Sequence, residues 1–283
     1  MKKITDTYIL SNNIKIPVVG FGTWQTPNDE IGYNAVKTAL EVGYRHIDTA
    51  SIYGNEVSVG KAIKDSVVNR EDIFLTSKLW NDQHGYEETL IAFEESLERL
   101  GTDYLDLYLI HWPNPLAFRD CWEEKNAGSW KAMEELYEAG KIKAIGVSNF
   151  WIRHIEALLK TAKVRPMVNQ IRICPGDLDV ELIDYCVGKG MLLEGYSPLG
   201  TGNVFGVQAL EDIATKYDTT VAKVCLRWSL QHGFLPLPKS VTPSRIKDNA
   251  DVFGFELSKE DLKRIDELDN CCGKSSSPDE KNY

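Results

Sequence analysis

The feature that most limits how this chain can fold is an eightfold alternation of short apolar strand, polar loop and amphipathic helix. Candidate strands lie at 18–22, 45–47, 73–78, 104–111, 144–148, 167–170, 191–196 and 234–238. Helical periodicity follows each of them, at 31–42, 56–67, 86–100, 130–139, 152–161 and 180–187, then as a pair at 207–217 and 221–231, and last at 245–252. Apolar residues every three to four positions mark the helices, and short apolar runs between turn residues mark the strands. A further helix is expected from Ser258, where Asp261 completes a capping box. Ahead of the first repeat, 8–10 and 14–16 flank the polar turn Ser11-Asn12-Asn13 and read as a β-hairpin. Eight such repeats fit one closed parallel barrel, an α/β fold of the (β/α)8 TIM type. A doubly wound open sheet is the competing architecture, but no GxGxxG follows any strand and no strand has the polar alternation of an edge. No linker or internal repeat divides the chain, so one domain over 1–283 is expected, with a loose polar tail at about 273–283.

In a barrel of this kind chemistry gathers where strands end and loops begin. The strand ends carry Gly22, Thr23 and Trp24; Asp48, with Tyr53 five positions on; Lys78; His111 and Trp112; Ser148 and Asn149; Gln170; Tyr196 and Ser197; Lys239 and Ser240. Every one of the eight ends is polar. Asp48, Tyr53, Lys78 and His111 fall at consecutive strands, and their chemistries are complementary. A buried ammonium beside a phenol favours the phenolate and lowers the phenol's pKa from about 10. A carboxylate beside that ammonium keeps it charged despite desolvation. An imidazole can hydrogen-bond a carbonyl oxygen and orient it. Together they make a proton donor and an oxyanion site for carbonyl reduction. They include no strong nucleophile for acyl transfer and no metal-ligand cluster, so no metal is expected. Each residue alone has an ordinary structural reading. The four together at successive strand ends do not. His46 lies inside a strand and reads as structural.

Composition narrows the partners. The net charge is −10, which argues against nucleic acid or an anionic membrane surface. The start, Met1-Lys2-Lys3-Ile4-Thr5-Asp6, leads into no apolar run of signal-peptide length, and no apolar stretch approaches the ~20 residues of a membrane span. The six cysteines show no CxxC or framework spacing and read as reduced thiols, so a cytoplasmic location is expected. Cys271-Cys272 reads as exposed thiols on a mobile end.

The longer motifs go further. Gly43-Tyr44-Arg45-His46-Ile47-Asp48-Thr49-Ala50, Thr76-Ser77-Lys78-Leu79-Trp80, Leu107-Tyr108-Leu109-Ile110-His111-Trp112-Pro113 and Gly146-Val147-Ser148-Asn149-Phe150 occur in that order. They are followed by Tyr196-Ser197-Pro198-Leu199-Gly200 and Pro238-Lys239-Ser240-Val241-Thr242-Pro243. Over nearly its whole length the chain resembles the aldo-keto reductases, and most closely their bacterial branch of diketogluconate reductases and broad aldehyde reductases. The resemblance implies an N-terminal hairpin closing the barrel's base, a nicotinamide cofactor, Tyr53 as general acid, Lys78 and Asp48 tuning it, and His111 positioning the carbonyl. It places Gly22, Thr23 and Asp48 beside the cofactor. Gln170, Ser148 and Asn149 would bond the nicotinamide carboxamide, and Tyr196 would stack under the ring. Ser197, Leu199 and Gly200 would follow the pyrophosphate. Lys239, Ser240, Val241, Thr242, Arg245 and Asn249 would hold the adenosine and 2′-phosphate. Trp24, Trp80 and Trp112 would wall the substrate slot with Tyr53 and His111.

Two cations and several hydroxyls within 239–245 favour NADPH. The expected activity is NADPH-dependent reduction of an aldehyde or ketone to an alcohol by a monomer. The alternative is a barrel that holds the cofactor as a sensor without turnover. The resemblance is imperfect in three places: Ile171-Arg172-Ile173-Cys174-Pro175-Gly176 departs from the usual pattern, the loop after Leu199 is short, and the end after Cys272 is short and polar. That end is therefore not expected to wall the substrate slot, and Arg172 reads as structural.

Overall fold

The computed structural model describes residue 1 and residues 3–281. Two short strands, β1 (Thr7–Ile9) and β2 (Lys15–Pro17), pair antiparallel with Tyr8 opposite Ile16. Eight parallel strands follow, bonded in chain order: β3 (Phe21–Gly22), β4 (His46–Asp48), β5 (Phe74–Leu79), β6 (Leu107–Ile110), β7 (Ile145–Ser148), β8 (Val168–Arg172), β9 (Leu192–Tyr196) and β10 (Leu235–Leu237). The first and last of the eight meet, because the Gly20 N–H donates to Pro236 O at 3.1 Å and the Gly22 N–H to Pro238 O at 3.0 Å. Both prolines lack an N–H, so at their positions this seam is bonded in one direction only. The sheet is the expected eight-stranded barrel. The hairpin lies across its base: the Tyr8 hydroxyl donates to Phe234 O at 3.1 Å, and Asn12 Nδ2 to Lys143 O at 2.9 Å. Phe234 and Lys143 both precede strands, which places the hairpin at the end opposite the loops of interest.

Ten helices surround the sheet among the described residues: α1 (Glu30–Val42), α2 (Glu56–Lys64), α3 (Tyr86–Leu100), α4 (Trp122–Glu138), α5 (Ile152–Leu159), α6 (Val180–Gly188), α7 (Gln208–Lys216), α8 (Val221–Gln231), α9 (Pro243–Ala250) and α10 (Lys259–Asp266). Their ends show why they form. Asp29 caps α1 by accepting from the Ile31 N–H at 2.8 Å, and Gly43 ends it at φ 118°, a left-handed conformation that suits glycine. The core lies between the helices and the sheet, with Trp130 and Trp228 fully buried.

Four expectations change. First, α2 stops at Lys64 rather than 67. The Ser66 hydroxyl accepts from the Val68 N–H at 2.9 Å, a local turn that competes with the helix, and Val67 is 96% exposed. Second, α4 begins at Trp122, eight residues before the expected start. Its first turns bury Asn126 and Ser129, which bond Pro113 O at 2.8 Å and the Gly85 N–H at 2.9 Å, so polar residues hide the helical period. Third, the capping box of α10 is only half made. Ser258 accepts from the Asp261 N–H at 3.2 Å, but the Ser258 N–H goes to the Tyr217 hydroxyl at 2.8 Å.

Fourth, the end of the chain packs instead of hanging loose. Arg172 ion-pairs with Asp177 and donates to Gly273 O at 2.8 Å and Cys272 O at 2.6 Å, a structural role that pins the strand's end to the tail. Cys272 is buried rather than exposed, and all six cysteines are free thiols. Further on, Asp279 accepts from Asn114 Nδ2 at 2.9 Å and from Arg153 Nε at 3.0 Å, and lies 3.0 Å from His154 Nε2. The last two residues of the tail, Asn282 and Tyr283, lie outside the described residues.

Candidate active site

Strand register brings the polar quartet together. In the parallel ladder Asp48 of β4 pairs with Thr76 of β5, so Lys78 stands two residues further up on the same face. Its ammonium reaches back to Asp48, 2.8 Å from Oδ1 and 2.9 Å from Oδ2, and donates to Thr49 O at 2.8 Å. Lys78 is 0% exposed. Burial acts to lower the ammonium's pKa, but Asp48 and then Tyr53 outweigh it and hold the pKa above the ordinary lysine value. The lysine is therefore a fixed positive charge at any working pH.

Tyr53 ends a single 3₁₀ turn (Ser51–Tyr53) that leaves β4, and Gly54 at φ 66° ends that turn. The Ser51 hydroxyl ties the turn to Lys78 O at 3.1 Å. The half-buried Tyr53 hydroxyl thus sits 3.4 Å from Lys78 Nζ. His111, just past β6, packs edge-on to Tyr53 with ring centroids 5.8 Å apart and edge-on to Trp80 at 5.1 Å. Burial, followed by the charge of Lys78, pushes the His111 pKa well below the usual range. A neutral imidazole, a phenol and a charged ammonium therefore lie together at the ends of β4 to β6. That set can hold a carbonyl oxygen and deliver a proton to it.

The three tryptophans expected to wall a substrate slot differ in burial. Trp112 is buried, Trp80 is half-buried, and Trp24 is 49% exposed. The Lys281 ammonium lies 5.7 Å from the centre of the Trp112 ring, so the tail borders this side of the mouth. This corrects the expectation that a short polar end would leave the slot open. The fixed point is Asp279, whose partners Asn114 and His154 are themselves buried.

The other sequence candidates lie at the ends of β7 to β10 and in the segments that follow them. Ser148 donates to Gln170 O at 2.8 Å. Asn149, left-handed at φ 61°, donates to His111 O at 3.0 Å and to Ser148 Oγ at 3.1 Å. The Tyr196 hydroxyl donates to Asn149 Oδ1 at 2.8 Å. Asn is among the few non-glycine residues that tolerate the left-handed region. Ser197 shares that region at φ 50°, and the chain turns through Leu199 to Gly200 at φ 53°. A Cβ on Gly200 would lie 2.6 Å from Cys272, so the tail is seated against this loop. Lys239 reaches across the seam to Gln25 O at 3.2 Å, and the Thr23 hydroxyl donates to Asp48 O at 2.9 Å. Gly22 packs close to the Leu237 carbonyl. At the start of α9, Thr242 makes no side-chain cap, Ser240 Oγ accepts from the Thr242 N–H at 3.0 Å, and Val241 and Arg245 are exposed. Asn249 is buried on the inner face of α9.

Two buried residues escaped the sequence reading. Asn55 bonds Thr23 O and Thr26 O at 2.9 Å each and accepts from Thr49 at 2.8 Å, bracing three loops at once. Glu194 lies in the barrel interior and accepts from Gln170 Nε2 at 2.8 Å. Its signal was a carboxylate in the middle of the apolar strand 191–196. His46, below it, bonds Thr76 Oγ1 at 3.0 Å. Among the described residues no group of three or more His, Cys, Asp or Glu is placed to hold a metal ion, and no helix is long and apolar enough to cross a membrane.

A barrel closed by an N-terminal hairpin, with lysine, aspartate, tyrosine and histidine at its mouth, defines a class of carbonyl-reducing oxidoreductases. The chain belongs to the Aldo/keto reductase family, whose sequence model matches residues 18–270. It is 49% identical to the glyoxal reductase of Bacillus subtilis strain 168 over 277 residues, 98% of each chain. It is 44% identical to the methylglyoxal reductase DkgA of Escherichia coli K12 over 266 residues, 93% of each chain. Among solved structures, the aldo-keto reductase MGS-M4 from a Medee basin deep-sea metagenome library superposes with a TM-score of 0.92 at 44% identity, covering 98% of this chain and 100% of that one. A mutant of Gox0644 in complex with NADPH superposes with a TM-score of 0.91 at 38% identity, covering 99% of each chain.

Proposed function

We propose that this protein reduces small aldehydes and ketones to alcohols, with NADPH as the hydride source and Tyr53 as the proton donor. The observation that carries the reading is the buried, Asp48-braced ammonium of Lys78 at 3.4 Å from the Tyr53 hydroxyl. A fixed positive charge beside a phenol stabilises the phenolate left after proton transfer, which lowers the barrier to giving the proton up. The neutral His111 donates a hydrogen bond to the same carbonyl oxygen and sets its angle.

The residues along the cleft fit a nicotinamide dinucleotide. The uncapped start of α9 has backbone N–H groups to offer an anion, and exposed Arg245 adds a planar cationic fork. Such a site suits a 2′-phosphate. When bound, NADPH would supply the hydride. The chain's own part is to hold the ring at the mouth, exclude water there with Trp80 and Trp112, and move one proton from Tyr53. The glyoxal and methylglyoxal reductases among its relatives make a small dicarbonyl a reasonable first substrate. The test is the fall in NADPH absorbance with a panel of small aldehydes and dicarbonyls. Cofactor binding without turnover on any of them would replace the enzyme by a sensing barrel.

A further inference from the structure

Gln170 stands where the cofactor's carboxamide would lie, and its own surroundings are unusual. The strand ladder sets Gln170 of β8 directly beside Glu194 of β9. The amide nitrogen of Gln170 has two hydrogens, and both are taken: one goes to Asp48 Oδ2 at 2.9 Å and the other to Glu194 Oε2 at 2.8 Å. The Asp48 carboxylate only accepts, so it would repel the amide's oxygen, and the Gln170 amide is held with its nitrogen towards Asp48. Only Oε1 of Gln170 remains to meet a ligand. We propose that Glu194 is a positioning residue: with Asp48 it clamps the Gln170 amide so that the cofactor meets an acceptor there, not a donor. This rests on the nicotinamide reading of the cleft.

The chemical consequence is selective. A nicotinamide carboxamide has an NH2 that can donate to Oε1. A 3-acetylpyridine ring keeps the carbonyl but carries a methyl in place of that NH2, so it cannot. Asp48 alone sets which way the amide faces, but one anchor leaves the side chain free to swing. The second anchor fixes its position. Glu194 can do this without charge. Burial, then the proximity of Asp48, raises its pKa to about 8, so at neutral pH it is mostly the neutral acid and still accepts through Oε2. His46 lies 3.9 Å from Glu194 Oε1, but burial lowers the imidazole to about 3, so the two are not an ion pair. A neutral carboxyl and a glutamine amide have nearly the same shape, and glutamine can present its oxygen to Gln170.

The experiment titrates the purified protein with NADPH and, separately, with its 3-acetylpyridine analogue, following protein fluorescence, so no turnover is needed. Wild type is expected to bind NADPH about tenfold more tightly than the analogue, the scale of one hydrogen bond. Glu194→Leu, checked for folding by thermal melting, should bind NADPH several-fold more weakly and discriminate less than threefold. Glu194→Gln should restore wild-type discrimination. If Glu194→Leu discriminates as wild type does, the clamp is not needed and the proposal is overturned. If Glu194→Gln behaves like Glu194→Leu, the charge and not the position matters, which also overturns it. No discrimination by wild type, together with unchanged NADPH binding in Gln170→Ala, would bring down the cofactor reading itself and the proposal with it.

Discussion

At the scale of single residues, the quartet is asymmetric in what each member is asked to do. Tyr53→Phe removes one hydroxyl and should leave NADPH binding intact. Its kcat should fall by roughly 10²–10⁴, the usual contribution of general acid catalysis. Near-wild-type turnover in steady-state assays would remove Tyr53 from its role. Lys78→Met has a second consequence, because Asp48 is left buried without its cation. Breaking one side of a buried pair typically costs about 3–5 kcal/mol. The variant should therefore lose both activity and stability, visible in urea unfolding beside the rate assay. Asp48→Asn keeps the ammonium and its bond to Thr49 O, so it should lose less activity, although it too breaks the buried pair. An Asp48→Asn as inactive as Lys78→Met would mean that the carboxylate has a further task.

At the scale of elements, the proposed function assigns recognition of the cofactor's phosphate to the start of α9 and gives the tail a place beside the substrate. Arg245 is exposed and Lys239 is already engaged with Gln25 O at 3.2 Å, so Arg245 is the cation available to a 2′-phosphate. Arg245→Ala should raise the KM for NADPH roughly tenfold or more, the scale of a charge-assisted hydrogen bond, and barely change that for NADH. Equal KM values for the two cofactors in wild type would remove the reason for the assignment. At the other end, Trp112 lies beneath Lys281, so Trp112→Ala should shift kcat/KM between bulky and small carbonyls more than it shifts Tm. The reverse result would make Trp112 ordinary core.

The barrel strands, α4 and the tail show what a sequence can disclose. The barrel strands are readable because a strand covered on both sides is a continuous apolar run, as at 107–110. Asp48, Lys78 and His111 are readable because polar side chains interrupt such runs at their ends. The first turns of α4 and the tail were not readable. Asn126, Ser129 and Asp279 are polar residues held by partners distant in the sequence, and polarity in a sequence looks the same whether the partner is water or protein. Glu194 was missed for the same reason: its partner Gln170 lies 24 residues away.

At the scale of the whole molecule, burial of imidazoles ties stability to pH. Burial lowers His46 and His84 to about 3, His154 to about 4, and His111 well below its usual range. In the unfolded chain all four would titrate near 6.5. Below that pH the unfolded state takes up protons that the native state refuses, so stability falls as pH falls. The loss continues down to about 4 for His154 and about 3 for His46 and His84. Glu194 acts in the opposite sense. Its native pKa of about 8 lies above the ordinary carboxyl value, so between about 4.5 and 8 the native state holds the extra proton. Its contribution is present at low pH and is lost as pH rises through 8. Near pH 5.5 the four imidazoles less this one carboxyl leave about three protons taken up on unfolding, or roughly 4 kcal/mol per pH unit. Against a typical stability of about 5–15 kcal/mol, that slope is large. Stability should therefore peak near neutral pH, decline gently towards pH 8 and drop steeply below 6. Urea unfolding at pH 8, 7, 6 and 5.5 checks the curve. Glu194→Gln should abolish the gentle alkaline decline while leaving the acid limb in place. A flat profile between pH 7 and 5.5 would mean that these imidazoles take up protons in the folded barrel.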